Sequence, residues 1–244
     1  CMTMVESSPQ RADWMSGNWG IGYRIPAEAS YWDGYDVGAF INQLKTVRGN
    51  PGYVIVNLSG PSHGGDVYNS HNPLLWSIGN TDSSPAPTAN DFFQDLIDGI
   101  HELGMKVIVY MAGQGPALLK LTTLDKNRNQ TDNLRHAHDW DAALETSPAR
   151  ERWLAYVASE HLCDPLADNY ACAKKAYAED IVLYYSIYFG TDIDGWWFDQ
   201  GKYTDSELIG SVCHAANPDA VVALNRGPKI PLQVNNENVE DYTF

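Results

Sequence analysis

Short apolar runs alternate with helical patterns along most of the chain. The apolar runs are rich in Val, Ile, Tyr and Trp, as are strands that are buried on both faces of a parallel sheet. Between them apolar residues recur at helical spacing, as Val37, Phe40 and Leu44 do. The pattern predicts strands at 19–23, 53–57, 106–111, 193–199 and 220–224, and helices at 36–48, 90–103, 148–161, 173–189 and 206–216.

The order of these elements is a repeated βα unit, which predicts the α/β class and favours a (β/α)8 TIM-like barrel. A doubly wound sheet would carry a glycine-rich phosphate turn after its first strand, whereas residues 24–28 read Arg-Ile-Pro-Ala-Glu. Long polar loops are predicted at 58–90 and 112–146, after the second and third strands. A barrel carries its active site on loops at this edge.

Only five strands are predicted before Phe244, fewer than a (β/α)8 barrel needs. The barrel continues beyond the given sequence, or it is incomplete, or the polar loops contain further strands; we favour the first interpretation. We divide the chain into a flexible lead-in, residues 1–13, and a catalytic (β/α) barrel domain, residues 14–244.

Charge and hydropathy exclude two classes of partner. The chain has 16 Lys and Arg against 31 Asp and Glu, a net charge of −15. Nucleic-acid backbones are bound by clustered cations, so no nucleic acid is expected as a partner. The longest apolar run, 181–190, is far shorter than the roughly 18 residues of a membrane span. The 8 Trp and 14 Tyr are typical of proteins that stack sugar rings, and equally of well-packed extracellular domains.

The four cysteines predict one local disulfide and no metal site. Cys163 and Cys172 bracket a short acidic loop and are expected to form a disulfide that stabilises the fold by about 2 kcal/mol or more. No Cys-x-x-Cys and no zinc spacing is present, so no metal is predicted. The start at Cys1, together with this disulfide, favours a secreted, periplasmic or cell-surface protein, with a lipoprotein as one form of the last.

The strongest candidate for chemistry is Asp199, at the end of the apolar strand Ile193–Asp199. A strand-end carboxylate next to aromatic rings would lie at the mouth of a barrel, where it could act as a glycosidase nucleophile. Asp192 and Asp194 flank the start of the same strand and are interpreted as structural.

Short motifs occur in order at Trp14–Gly20, Gly52–Asn57, Lys106–Tyr110, Gly195–Asp199 and Asn217–Arg226. Together they resemble the retaining α-L-fucosidase family of glycoside hydrolases. The resemblance implies a (β/α)8 barrel that cleaves α-L-fucosides through a covalent glycosyl-enzyme and needs no cofactor. It implies that Asp199 is the nucleophile and that the substrate is bound by Asn18, Trp19, His63, Tyr110, Trp197 and Arg226.

The chain departs from that family at several positions. Asn18 stands where the family has a histidine, and after the second strand a glycine-rich loop offers one histidine, His63. The acid/base residue is expected among Glu237, Glu240 or residues beyond Phe244. A related group of endo-acting fucan hydrolases is expected to use a histidine as the acid.

The predicted function is therefore that of a retaining, α-L-fucosidase-like glycoside hydrolase acting on an oligosaccharide or polysaccharide. Two alternatives stay open: an endo-acting hydrolase of sulfated fucan, and a catalytically inactive glycan-binding barrel. Extra Lys and Arg would be expected at a cleft that binds sulfate, and the chain has few of both.

Overall fold

The computed structural model describes residues 11–23, 36–58, 72–79, 92–113, 115, 148–199, 204–225 and 239–242. Its strands are β1 (Gly20–Tyr23), β2 (Tyr53–Asn57), β3 (Lys106–Ala112), β4 (Gly195–Asp199) and β5 (Val221–Asn225). Its α-helices are α1 (Val37–Leu44), α2 (Pro73–Gly79), α3 (Phe92–Glu102), α4 (Pro148–Glu160), α5 (Ala167–Ala176), α6 (Leu183–Phe189) and α7 (Ser206–Cys213). None of the helices in these ranges has the length and apolar character that a membrane crossing requires.

The strands form one parallel sheet in the order β1-β2-β3-β4-β5, which confirms the predicted α/β class. Each of the five predicted strands is observed, with ends shifted by at most two residues. Among the described residues β1 pairs only with β2, and β5 pairs as a strand only with β4, so this part of the sheet is open. Closure into a barrel stays a prediction.

Capping residues mark two of the helix boundaries. Asp36 caps α1, since its Oδ1 accepts a 2.8 Å hydrogen bond from the Ala39 amide. Gly104 follows α3 with φ +75°, a left-handed conformation that glycine adopts without strain. Asp36 therefore fixes where α1 begins, and Gly104 lies where the chain leaves α3 and turns toward β3.

Alternation along the strands gives the sheet two different faces. One face packs on the helices and forms the main core, with Val54, Val56, Val107, Val109, Trp196, Phe198, Val222 and Leu224. We call the other face the site face; its apolar residues are Tyr53, Ile55, Ile108, Tyr110, Trp197, Val221 and Ala223.

Residues from both ends of the chain cover the amino-terminal end of the site face. The Trp14 ring meets the Tyr53 ring edge-on at 5.7 Å, and the Tyr242 hydroxyl donates a 3.1 Å hydrogen bond to the Trp196 carbonyl. Asp241 exchanges two 2.9 Å hydrogen bonds with the Val222 backbone, and so satisfies part of the free edge of β5.

Two segments differ from the predicted elements. The predicted loop at 58–90 contains α2, because a short helix inside a polar stretch gives too little periodicity to be recognised. The helix predicted at 173–189 begins earlier, at Ala167, and contains a π-helical turn at Tyr177–Val182. Near the start of α5 the backbone is left-handed at Asp168, Asn169 and Tyr170.

The predicted disulfide between Cys163 and Cys172 is present and encloses this left-handed turn. Left-handed geometry is unfavourable for residues other than glycine. The disulfide ties the end of α4 to α5 across the strained turn.

Asp194, just before β4, lies at the centre of a cluster of charges at the amino-terminal edge of the sheet. Its carboxylate lies 2.8 Å from His101 Nε2 and 2.5 Å from Lys106 Nζ, and it accepts a 2.9 Å hydrogen bond from the Val107 amide. Burial would raise the pKa of Asp194, but these three hydrogen bonds outweigh it and lower that pKa. The hydrogen bond to Asp194 raises the pKa of His101, against the opposing effect of burial. The structural role predicted for Asp194 is confirmed.

We expect His101→Gln to destabilise the protein more at pH 5.5 than at pH 8.5. Because the pKa of His101 is higher in the folded chain, its contribution is complete below the unfolded value of about 6.5 and is lost as pH rises through the folded value. The side chain is 34% exposed, so solvent limits the effect to about 1 kcal/mol or less. Urea unfolding at both pH values measures it, and an equal loss at the two would contradict the prediction.

Removing the disulfide with Cys163→Ser and Cys172→Ser should lower the free energy of unfolding by about 2–3 kcal/mol, because the unfolded chain gains freedom. Denaturant unfolding with and without reductant measures this. The reductant should destabilise the native protein and leave the double variant unchanged, and a variant as stable as the native protein would refute the expectation.

Candidate active site

Asp199 ends β4 at the carboxyl-terminal edge of the sheet, opposite the Asp194 cluster. Along Gly195-Trp-Trp-Phe-Asp199 the side chains alternate, so Trp196 and Phe198 enter the core while Trp197 and Asp199 lie on the site face. The buried rings of Trp196 and Phe198 anchor β4 in the core, and the anchored strand carries the Asp199 carboxylate.

Both oxygens of the Asp199 carboxylate accept hydrogen bonds from the strands that flank β4. The Tyr110 hydroxyl, from β3, donates to Oδ2 at 2.7 Å. The Asn225 amide, from β5, donates to Oδ1 at 2.9 Å. The Gly113 amide donates to the backbone carbonyl of Asp199 at 2.6 Å.

A pocket of about 430 Å³ opens in front of this carboxylate. Its lining consists of Gly22, Tyr23, Ile55, Asn57, Tyr110, Trp197 and Asp199. Asp199 is the single charged residue among these, and the others offer aromatic rings, an amide, an aliphatic side chain and backbone. The Tyr110 and Trp197 rings meet edge-on at 5.1 Å, which gives the pocket a continuous aromatic wall.

This arrangement suits the chemistry of a sugar. Aromatic rings stack on the apolar face of a pyranose, while amides and hydroxyls bind its hydroxyl groups. A carboxylate at the edge of such a pocket can attack an electron-poor anomeric carbon. Within the described ranges no three His, Cys, Asp or Glu residues lie together as a metal site would require.

The structure brings together three of the residues that the sequence predicted for the site: Asp199, Tyr110 and Trp197. It does not bring Asn18 and Trp19 to the pocket. They precede β1 at the opposite edge, with Trp19 seven and Asn18 eight strand positions from the level of Asp199, which is roughly 23 Å or more along the strand direction at 3.3 Å per residue. The Trp19 indole there donates to the Gly49 carbonyl at 2.7 Å, and the Asn18 amide donates to the Trp14 carbonyl.

Among the other predicted site residues, Glu240 is described and has a backbone partner. Its carboxylate is buried and accepts a 2.8 Å hydrogen bond from the Leu224 amide, one residue before Asn225. His63, Arg226 and Glu237 lie outside the described residues, so their predicted roles stay predictions.

Sequence reasoning missed Asn57 and Asn225. Both are the last residue of an apolar strand, and this position was the available signal. A polar side chain that ends a buried parallel strand lies at the edge where the carboxyl ends meet. The predicted fifth strand stopped at Leu224, one residue short of Asn225. Gly22 was missed because a glycine adds no functional group; it contributes open space to the pocket.

Several solved structures share this fold. Endo-fucoidan hydrolase P5AFcnA from glycoside hydrolase family 107 matches with a TM-score of 0.63 and 20% identity, over 96% of this chain and 56% of that one. The variant MfFcnA4_H294Q of the same family matches with 0.71 and 19%, over 97% and 37%. MfFcnA9, also of that family, matches with 0.67 and 18%, over 97% and 44%. At these identities the likeness establishes the fold alone, and the chain spans roughly half or less of each relative's length.

No curated protein matches the chain. A family model described as endo-alpha(1,4)-fucoidanase Mef1 matches residues 9–242. This corrects the predicted family, because the match is to endo-fucoidanases and not to the α-L-fucosidases. The motifs behind the earlier resemblance are strand segments with a carboxylate at one end, and they specify an architecture more than a substrate. The chain belongs to the Mef1 family of endo-α(1,4)-fucoidanases.

Proposed function

We propose that the chain carries the active site of an endo-acting glycoside hydrolase that cleaves sulfated fucan. The observation that carries the proposal is the Asp199 carboxylate, set in an aromatic and amide-lined pocket at the carboxyl-terminal edge of the sheet. Family membership supports the fucan substrate and internal cleavage. The exo-acting α-L-fucosidase of the original prediction has less support than this alternative.

The reaction proceeds in two displacements with retention. In the first, an Asp199 oxygen bonds to the anomeric carbon while the bond from that carbon to the leaving sugar oxygen breaks, and an acid protonates that oxygen. In the second, water bonds to the anomeric carbon as its proton passes to the same acid/base group. As the water bonds, the ester bond from the anomeric carbon to Asp199 breaks, and Asp199 regains its carboxylate.

The partner that supplies the proton is proposed among the residues predicted from the sequence: Glu237, Glu240, a histidine, or a residue beyond Phe244. His63 and Arg226 are proposed to bind sugar hydroxyl or sulfate groups. Sulfate groups would be bound best by a planar guanidinium such as that of Arg226.

We also propose that β1–β5 are one arc of a (β/α)8 barrel to which the catalytic domain at 14–244 belongs, and that the protein is secreted, periplasmic or held at the cell surface. The sequential parallel order of the strands supports the barrel. The disulfide supports an oxidising compartment.

Asp199→Asn should abolish cleavage of sulfated fucan, with a loss of at least about 10³-fold, because the amide cannot form the glycosyl ester. Gel electrophoresis of the digest measures this. The native protein should first give a ladder of oligosaccharides, with an α-configured reducing end by NMR. Release of free fucose alone would contradict endo action, and a β-configured product would contradict retention.

Asp205→Asn is the matched control. Asp205 accepts a hydrogen bond from the Leu208 amide and caps α7, and asparagine caps a helix equally well, so stability and activity should persist. A native protein that binds fucan without cleaving it would replace the proposal with the glycan-binding alternative.

Gly22 and Gly20, on the same strand, should respond in opposite ways to added side chains. A Cβ on Gly22 would meet no atom of the described residues within 4 Å, so Gly22→Leu should fold normally yet fill the pocket and raise KM for fucan by roughly tenfold. A Cβ on Gly20 would overlap the Tyr53 ring, so Gly20→Ala should lower the melting temperature instead. Thermal unfolding and KM measured for both variants test this, and an unchanged KM for Gly22→Leu would place the sugar elsewhere.

A further inference from the structure

We infer that Tyr110 and Asn225 are positioning residues, which together hold the Asp199 carboxylate in the one orientation that attacks the sugar. Tyr110 was predicted only as part of the pocket lining, and Asn225 had no predicted role. The inference rests on the proposed role of Asp199 as nucleophile.

The two donors act on different oxygens and come from opposite sides. Tyr110 Oη reaches Oδ2 from β3 at 2.7 Å, and Asn225 Nδ2 reaches Oδ1 from β5 at 2.9 Å. The terminal torsion of an aspartate side chain, χ2, has a broad energy minimum, so the carboxylate rotates easily. One hydrogen bond on each oxygen, from two separate strands, restrains that rotation, and the loss of either bond removes part of the restraint.

The donors are themselves held by the sheet. Tyr110 and Trp197 are register partners on β3 and β4, and their rings meet edge-on at 5.1 Å with an interplanar angle of 82°. Asn225 is the register partner of Asp199 on β5. The backbone of Asp199 is fixed on the other side by the Gly113 amide. The orientation of the carboxylate thus follows from three adjacent strands.

Hydrogen bonds to an ionised carboxylate are stronger than hydrogen bonds to an ester. In the first displacement the two donors orient the attacking oxygen. In the second they stabilise the carboxylate that departs as the bond from the anomeric carbon to Asp199 breaks. Both donors are neutral, so they orient the carboxylate without cancelling the charge that attracts the electron-poor anomeric carbon.

The test compares Tyr110→Phe, Asn225→Ala and the double variant with the native protein, on a sulfated fucan oligosaccharide labelled at its reducing end. Tyr110→Phe removes one hydroxyl and keeps the ring against Trp197. Each single variant should lower kcat by about 10- to 100-fold and change KM by less than about threefold. The fold-loss of kcat in the double variant should be smaller than the product of the two single fold-losses, because both hydrogen bonds restrain the same torsion of the Asp199 side chain.

Tyr53→Phe is the matched control, since it removes a hydroxyl from the same face of the sheet at its far end. It should leave kcat unchanged. An unchanged kcat in Tyr110→Phe and Asn225→Ala would overturn the inference. A rise in KM alone would overturn it too, since both residues would then only bind substrate. Losses that multiply in the double variant would show independent roles and would likewise overturn it.

A native protein inactive on every sulfated fucan would refute the proposed function and leave the positioning inference to be tested by structure. Crystal structures of the native protein and the double variant then decide it. We expect one orientation of the Asp199 carboxylate in the native protein, and a rotated carboxylate or two alternate conformers of it in the double variant. The same orientation in both would overturn the inference.

Discussion

Because the five strands run parallel and in sequence order, their last residues meet at one edge of the sheet. Ala112, Asp199 and Asn225 are register partners at that edge, on three adjacent strands. Tyr110 lies two residues before Ala112 and therefore on the same face, which is how its hydroxyl reaches Asp199. A slip of one residue in β4 would exchange its faces, so that Asp199 would point at the helices and Phe198 at the pocket. The site therefore depends on a register that the burial of Trp196 and Phe198 enforces.

Two aspartates near β4 have opposite electrostatic surroundings. Asp194, before the strand, contacts Lys106 and His101, which compensate its charge and make it part of the frame of the sheet. Asp199, at the other end, accepts hydrogen bonds from the Tyr110 hydroxyl and the Asn225 side-chain amide, both of which are neutral donors. A carboxylate paired with a cation attracts an electron-poor carbon less strongly than one held by neutral donors. The same side chain thus supports stability at one edge and suits chemistry at the other.

The sequence predicted the strands, the disulfide and the position of Asp199 at the end of β4, because each depends on a local pattern that tertiary contacts reinforce. The sequence did not predict at which edge of the sheet a side chain lies, or which residues of neighbouring strands contact each other. Asn18 and Trp19 belong to a plausible motif, yet they precede a strand, and side chains before a parallel strand lie at the edge away from the site. The contact between Asn225 and Asp199 joins two strands, and only the register of the sheet brings them together. The family was misassigned because short strand motifs specify a fold more strongly than a substrate.

On the proposed function, an acidic protein would act on a polyanion. The chain carries a net charge of −15, so long-range forces oppose the approach of a sulfated polymer, and salt screens them over about 8–10 Å. Affinity would then come from contacts at short range. The described pocket wall offers aromatic rings, an amide and a hydroxyl group that can contact the sugar, and it leaves open space beside Gly22. In that case the pocket selects the sugar by its shape and hydroxyl pattern. Arg226, in its proposed role, would attract sulfate only once the polysaccharide is bound.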